Sequence, residues 1–167
     1  LTDFLSVTGL LRGFIVSDKV KTILEKYNLP NCKFYNVIVH QPVKETKSII
    51  KFNYWWFYFN LETGINNVDF DKSEFDYEQH IFFSGQPIQL NKISAYQDYE
   101  KIAFDSGLAL KASKLVFKSS FDKELDVWGT KFLSLKNYMS SRILKQFTSE
   151  KITGYETKKP SCKLIFE

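Results

Sequence analysis

The chain has 167 residues, 44% hydrophobic and 25% charged, with a formal net charge of +4. That balance excludes a disordered polymer and suits a single globular core, and the positive charge is too slight and too evenly spread to demand a nucleic-acid partner. Cys32 and Cys162 stand in none of the spacings of a zinc site or redox motif; both are expected as thiols, with a single Cys32–Cys162 bridge as the alternative, and no apolar run nears the roughly 20 residues of a membrane span.

The start at Leu1, without methionine, suggests a trimmed N-terminus. Ser17 is placed to cap a helix over Asp18–Tyr27, with Val20, Ile23, Leu24 and Tyr27 on one face and Asn28-Leu29-Pro30-Asn31 as its stop. Lys33–His40 alternates and is rich in β-formers, which predicts a strand, and Gln41–Lys47 with Pro42 predicts a loop. Ser48–Asn60 is the longest expected strand. It holds Tyr54-Trp55-Trp56-Phe57-Tyr58-Phe59 in a chain that is 17% aromatic. Regular pleating puts those rings on both faces, the mark of a central strand covered on both sides; the competing idea is that one face belongs to a partner groove.

Glu62-Thr63-Gly64 predicts a turn, and Asn67–Phe70 and Gln79–Phe83 predict short strands on either side of the acidic segment Asp71–Glu78, with Gly85-Gln86-Pro87 ending that region. Ile93–Asp105 has helical spacing and a stop at Ser106-Gly107. Beyond it come a strand over Leu108–Lys118, an irregular strand over Val127–Phe132, a helix over Ser140–Ser149 carrying Ile143, Leu144 and Phe147, and β segments at Ile152–Thr157 and Cys162–Phe166. Phe14-Ile15-Val16-Ser17 and Tyr138-Met139-Ser140-Ser141 both set apolar residues before a serine-capped helix, a pattern that a hydrophobic staple and an N-cap produce without duplication. The expected fold is α+β, one domain over residues 1–167, with a mixed or largely antiparallel sheet and two or three helices packed on it.

Chemistry is hard to find in this sequence. The two histidines, His40 and His80, are isolated, without a nucleophile elbow or other local signature, and the seven glycines form no phosphate loop. Asp69-Phe70-Asp71-Lys72-Ser73-Glu74 starts like a calcium loop, but Glu74 stands where glycine is needed and His80 where the bidentate glutamate belongs, so no metal or other cofactor is expected. What remains is a cluster of carboxylates, Asp69, Asp71, Glu74, Asp76 and Glu78, interleaved with Phe70, Phe75 and Tyr77 in an otherwise basic chain. As a plain surface it would guard a strand edge; as a site it would bind a basic protein partner, with Asp69, Asp71, Glu74, Asp76, Tyr77 and Glu78 as its contacts. A nucleic-acid surface would instead need Lys111, Lys114, Lys118, Lys158, Lys159 and Lys163 to converge with Trp55 and Trp56, and no recognition signature supports it. The residues also allow an enzyme with a site assembled around His80, Tyr77 and Glu78, or a structural adaptor module of a larger chain.

Several phrases in order resemble small bacterial immunity proteins of polymorphic toxin systems, the families numbered eleven and forty-three. They are Leu1-Thr2-Asp3-Phe4-Leu5-Ser6, the Ile15-Val16-Ser17-Asp18 helix entry running to Asn28-Leu29-Pro30, Phe34-Tyr35, Val68-Asp69-Phe70-Asp71-Lys72-Ser73-Glu74-Phe75, and the Ser140-Ser141 helix with Ile152-Thr153-Gly154-Tyr155. The resemblance implies a cytoplasmic protein without chemistry of its own that binds and blocks a cognate toxin domain. It carries over no site residues.

Overall fold

Two buried or half-buried aspartates organise the first half of the architecture. The computed structural model describes residues 1–6, 13–43, 48–61, 65–77, 97–101, 110–130 and 137–167, with the backbone alone at 76, 77, 110 and 111. In chain order the elements are β1 (Phe4–Leu5), β2 (Phe14–Val16), α1 (Asp18–Leu24), β3 (Cys32–Pro42), β4 (Ile49–Phe59), β5 (Glu74–Tyr77), α2 (97–101), β6 (Leu110–Phe117), β7 (Val127–Gly129), β8 (Asn137–Met139), α3 (Ser141–Ser149) and β9 (Lys163–Phe166). They fall into two compact units, one made of Leu1–Asn60, Glu124–Trp128 and Asn137–Thr157, the other of Leu61–Lys123, Gly129–Lys136 and Lys158–Glu167.

The first unit is built on an antiparallel sheet in the order β1-β2-β4-β3. The run of aromatics in β4 pairs with β2 on one side (Phe14 opposite Phe57) and β3 on the other (Phe34 opposite Phe57). Phe57 and Phe59 are wholly buried, with Phe34 stacked on Phe57 at 4.9 Å. Each such ring contributes roughly 1.5–3 kcal/mol by leaving water. Val20, Ile23 and Leu24 of α1 and Ile143 and Phe147 of α3 complete this core, and Phe4 joins it edge-on to Phe147 at 5.5 Å. Helix α1 is tied to β4 by Trp55, whose indole N–H donates to Asp18 and whose ring lies 4.0 Å from the Lys21 ammonium.

The helix starts share one device. Ser17 Oγ accepts the Val20 amide at the head of α1, and Ser140 Oγ accepts the Ile143 amide at the head of α3, each at 3.3 Å. Each serine hydroxyl in turn donates to an aspartate fourteen residues earlier, Ser17 to Asp3 Oδ1 and Ser140 to Asp126 Oδ1. The second oxygen of each carboxylate reaches the chain just past the other helix: Asp3 Oδ2 accepts the Thr153 amide and Asp126 Oδ2 the Asn28 amide, both at 3.0 Å. The backbones repeat the pattern, with Ser17 N–H donating to the Asp3 carbonyl and Ser140 N–H to that of Asp126, both at 2.8 Å. The shared serine pattern is therefore more than a local cap. Two arms, each of two strands and a helix, clasp each other reciprocally, each arm's aspartate holding its own helix start and the other's helix end.

The second unit carries a mixed sheet, β5-β6-β9, antiparallel between β5 and β6 and parallel between β6 and β9. Leu115 and Phe117 of β6 are wholly buried; Phe117 stacks on Phe166 at 5.2 Å and lies 4.6 Å from Phe121. Phe70, Phe75 and Tyr99 of α2 form a second aromatic group.

The α+β class and the mixed sheet agree with the sequence, and several boundaries do not. Helix α1 ends at Leu24 because the chain must turn early to bring the Asn28 amide to Asp126. Strand β3 runs on through Pro42. Ile152–Thr157 is not a strand: Thr153 is committed to Asp3, and Gly154 takes a φ of +85°, where a Cβ would lie 2.3 Å from the Phe4 carbonyl oxygen. Asn67–Phe70 forms only a bridge, Val68 opposite Phe117, while the acidic segment expected to connect two strands contains β5 itself. Gln79–Phe83, the turns at Glu62–Gly64 and Gly85–Pro87, the stop at Ser106-Gly107 and most of Ile93–Asp105 lie outside the described residues.

Burial by itself would raise the Asp126 carboxyl, but hydrogen bonds from Ser140, the Asn28 amide and Arg142 outweigh it and hold the group below its ordinary value. A lowered folded value means stability that is present above the usual aspartate range and drains away as pH falls through it. Asp126→Ala is expected to cost about 2–4 kcal/mol in urea unfolding at neutral pH, because it orphans buried donors. The loss of stability between about pH 5 and about pH 3 should be shallower in Asp126→Asn than in the parent chain.

Candidate functional site

Strand β5 and the turn before it hold the carboxylates singled out in the sequence. Asp69 is half-buried; its Oδ1 accepts the Lys72 amide at 3.1 Å, its Oδ2 lies 3.5 Å from the Lys72 ammonium, and its backbone carbonyl accepts the Ser73 hydroxyl. Those bonds make it the keystone of the turn into β5. Lys72 also donates to both carboxylate oxygens of Glu167 at 2.7 and 2.9 Å, and that bond, ahead of its other contacts, raises the Lys72 ammonium above its ordinary value. Glu74 is exposed and ion-paired with Lys114, its cross-strand neighbour on β6. The register sets Asp76 opposite Lys111 and Tyr77 opposite Leu110; the side chains of Asp76 and Tyr77, and all of Glu78, lie outside the described residues.

Asp71, Lys72, Glu74, Lys114 and Glu167 thus converge on one open groove of about 400 Å³, floored by Val116 and Ile165. Around it Asp69 and Glu74 are paired with Lys72 and Lys114. The same pairing engages Lys114, one of the lysines a nucleic-acid surface would have used. His80 and Glu78, the centre of an assembled enzyme site, lie outside the described residues, whereas His40 sits exposed on β3 opposite Lys51. Among the described residues no three His, Cys, Asp or Glu side chains gather as a metal site, no helix is long and apolar enough to cross a membrane, and neither Cys32 nor Cys162 forms a disulfide.

A second surface lies in the first unit, on the hairpin whose aromatic run raised the idea of a partner groove. The far half of the β3–β4 hairpin exposes Ile38 (54%), Ile49 (59%) and Ile50 (47%), with Tyr35 nearer its base. Tyr35, Trp56 and Tyr58 form an aromatic group on one face of the hairpin, with Tyr35 and Trp56 5.6 Å apart. A signal was present in the sequence: the segments 32–43 and 48–59 hold Lys33, Lys51 and His40 and not a single carboxylate, unusual for 24 residues of a chain with 19 Asp and Glu.

A protein-family model described as "Immunity protein family (Imm11)" matches residues 3–159. The matched span opens on Asp3 and takes in both aspartate clasps, the hairpin and β5. Comparison with curated proteins and with solved structures gives no match.

If Asp69 serves the turn more than a partner, Asp69→Ala is expected to cost about 1 kcal/mol in urea unfolding. Asp71→Asn should leave the unfolding midpoint within about 0.5 kcal/mol of the parent.

Proposed function

The chain belongs to the Imm11 immunity-protein family, and from that premise we propose that it neutralises one cognate toxin domain by binding it stoichiometrically and occluding its working surface. The family match over residues 3–159 carries this reading. An immunity protein of this kind acts by contact and needs no catalytic residue or cofactor. The match runs through segments of both compact units, which supports treating 1–167 as one functional domain. The place of action is the cytoplasm of the cell it protects, as the family resemblance implies. An interface of about 1,600 Å² with a few well-packed aromatic anchors would be ample for tight inhibition.

Within this reading the segment Asp69, Asp71, Glu74, Asp76, Tyr77 and Glu78 steers a basic toxin domain. Its carboxylates act on the rate of encounter more than on the final affinity, as exposed charges do. Within that segment Asp69 is paired with Lys72 and Glu74 with Lys114.

Affinity capture from the native bacterium with the tagged chain, followed by expression of each captured domain alone and together with it, tests the function. One domain should be toxic alone and harmless in co-expression; toxicity that persists in every pairing would overturn the reading. Replacing Asp69, Asp71, Glu74 and Asp76 together with Asn or Gln should slow association with that domain by about 10-fold at low salt and flatten its salt dependence. An unchanged rate removes the acidic segment from the mechanism.

A further inference from the structure

The β3–β4 hairpin has an open edge whose hydrogen-bonding phase can be fixed. The Asn60 amide donates to the Asn31 carbonyl at 3.2 Å at one end, and the Val43 amide to the Ser48 carbonyl at 2.9 Å at the other. Between them the register runs unbroken from Cys32 opposite Phe59 to Pro42 opposite Ile49. In an antiparallel ladder the bonded pairs alternate, so the odd-numbered residues of β3 bond to β4 and the even-numbered ones turn their N–H and C=O groups the other way. Phe34, Asn36, Ile38 and His40 therefore point their backbone groups out of the sheet. Strand β3 is the last in the order β1-β2-β4-β3, and among the described residues nothing bonds to the amides of Asn36, Ile38 and His40. Across the ribbon, β2 pairs with β4 at Trp55–Phe57, and among the described residues Ile49–Asn53 has no second neighbour.

Proteins normally blunt such an edge with charge, proline, a bulge or a short strand. Here the guards stand only at the ends, Lys33 at one and His40 with Pro42 at the other. The whole eleven-residue strand runs without a bulge, and its middle presents an exposed isoleucine at position 38. A row of outward amides and carbonyls spaced roughly 7 Å apart is matched by another extended strand and by little else.

Resting on the immunity reading, we propose that the open edge of β3 around Asn36, Ile38 and His40 is the docking site of an extended strand of the toxin domain, added antiparallel or parallel to the sheet. The charge of the ribbon specifies that strand. Its described residues carry Lys33, Lys51 and His40 and no carboxylate, so the incoming strand bears apolar side chains beside Ile38 and at least one carboxylate near Lys51. Backbone bonding supplies affinity, and the isoleucine and lysine supply selectivity.

The test uses the full chain and the toxin domain that it neutralises in co-expression. Ile38→Pro deletes one outward donor while leaving every β3–β4 bond in place, because those bonds run through the odd-numbered residues. It should weaken binding about 30-fold or more, leaving a toxin carbonyl unpaired, whereas Ile38→Thr, which keeps the donor, should weaken it by about 10-fold or less. Lys51→Glu should weaken binding and be rescued in part by reversing a carboxylate on the toxin strand. In amide hydrogen exchange on the unmodified chain, Asn36, Ile38 and His40 should become protected when the toxin domain is added. This readout does not depend on any variant folding. If those amides exchange equally fast with and without the bound toxin domain, and Ile38→Pro binds as the parent does, the inference falls while the immunity reading stands. Protection of the same amides by concentration alone, without toxin, would assign the edge to a second copy of the chain and overturn it as well. A parent chain that neutralises no toxic domain of its host overturns both.

Discussion

The first unit depends on two carboxylates that each do the same double duty. A helix start needs an acceptor for its free amides, and the loop past a helix end leaves its own amides unpaired. Asp3 and Asp126 satisfy one of each at once, through a serine hydroxyl on one oxygen and a backbone amide on the other. Because each aspartate serves its own arm's helix start and the other arm's helix end, neither arm is complete alone. The cost of burying Asp126, 1% exposed, is offset by a full set of donors, including Arg142 at 3.0 Å. The geometry of the sheet and of both helices around the Phe4–Phe147 contact follows from where these clasps sit.

Much of the fold was legible in the sequence because it rests on strong local signals. Ser17 and Ser140 announced their helices, the alternating Lys33–His40 stretch and the aromatic run announced the hairpin, and Leu108–Lys118 announced β6. The elements without such a signal are either short or made by distant partners. Strands of two or three residues, β1, β2 and β8, have no periodicity to detect. Gly154 and Thr153 looked like β-formers around a glycine, yet their conformation is set by Asp3, 150 residues away. The serine motif was visible twice, but the aspartate that makes it a clasp stands fourteen residues upstream, beyond any capping pattern.

The candidate site was legible only in part, for a physical reason. Sequence shows where like charges cluster but not which opposite charges the fold brings across to them. The acidic segment looked like bare negative potential, yet β6 brings Lys114 to Glu74, and Lys72 within the segment is shared between Asp69 and Glu167. Conversely, the β3–β4 hairpin looked like buried core because its residues are apolar, and exposure at Ile38, Ile49 and Ile50 is a property of strand order. No pattern of residues reveals that β3 lies at the end of its sheet.

The interleaving of the two units has a bearing on how the chain comes into being. Asp3 and Ser17 leave the ribosome early, whereas Asp126, Ser140 and Thr153 are made only after the whole of Leu61–Lys123. At about 5–20 residues per second that stretch imposes a wait on the order of several seconds, during which β3 and β4 exist without the arm that closes over their core. Their aromatic run is then as available to other nascent chains as to its own helices. Final locking of the first unit therefore waits for its second arm, and newly made protein should depend on chaperones that shield apolar hairpins until that arm arrives.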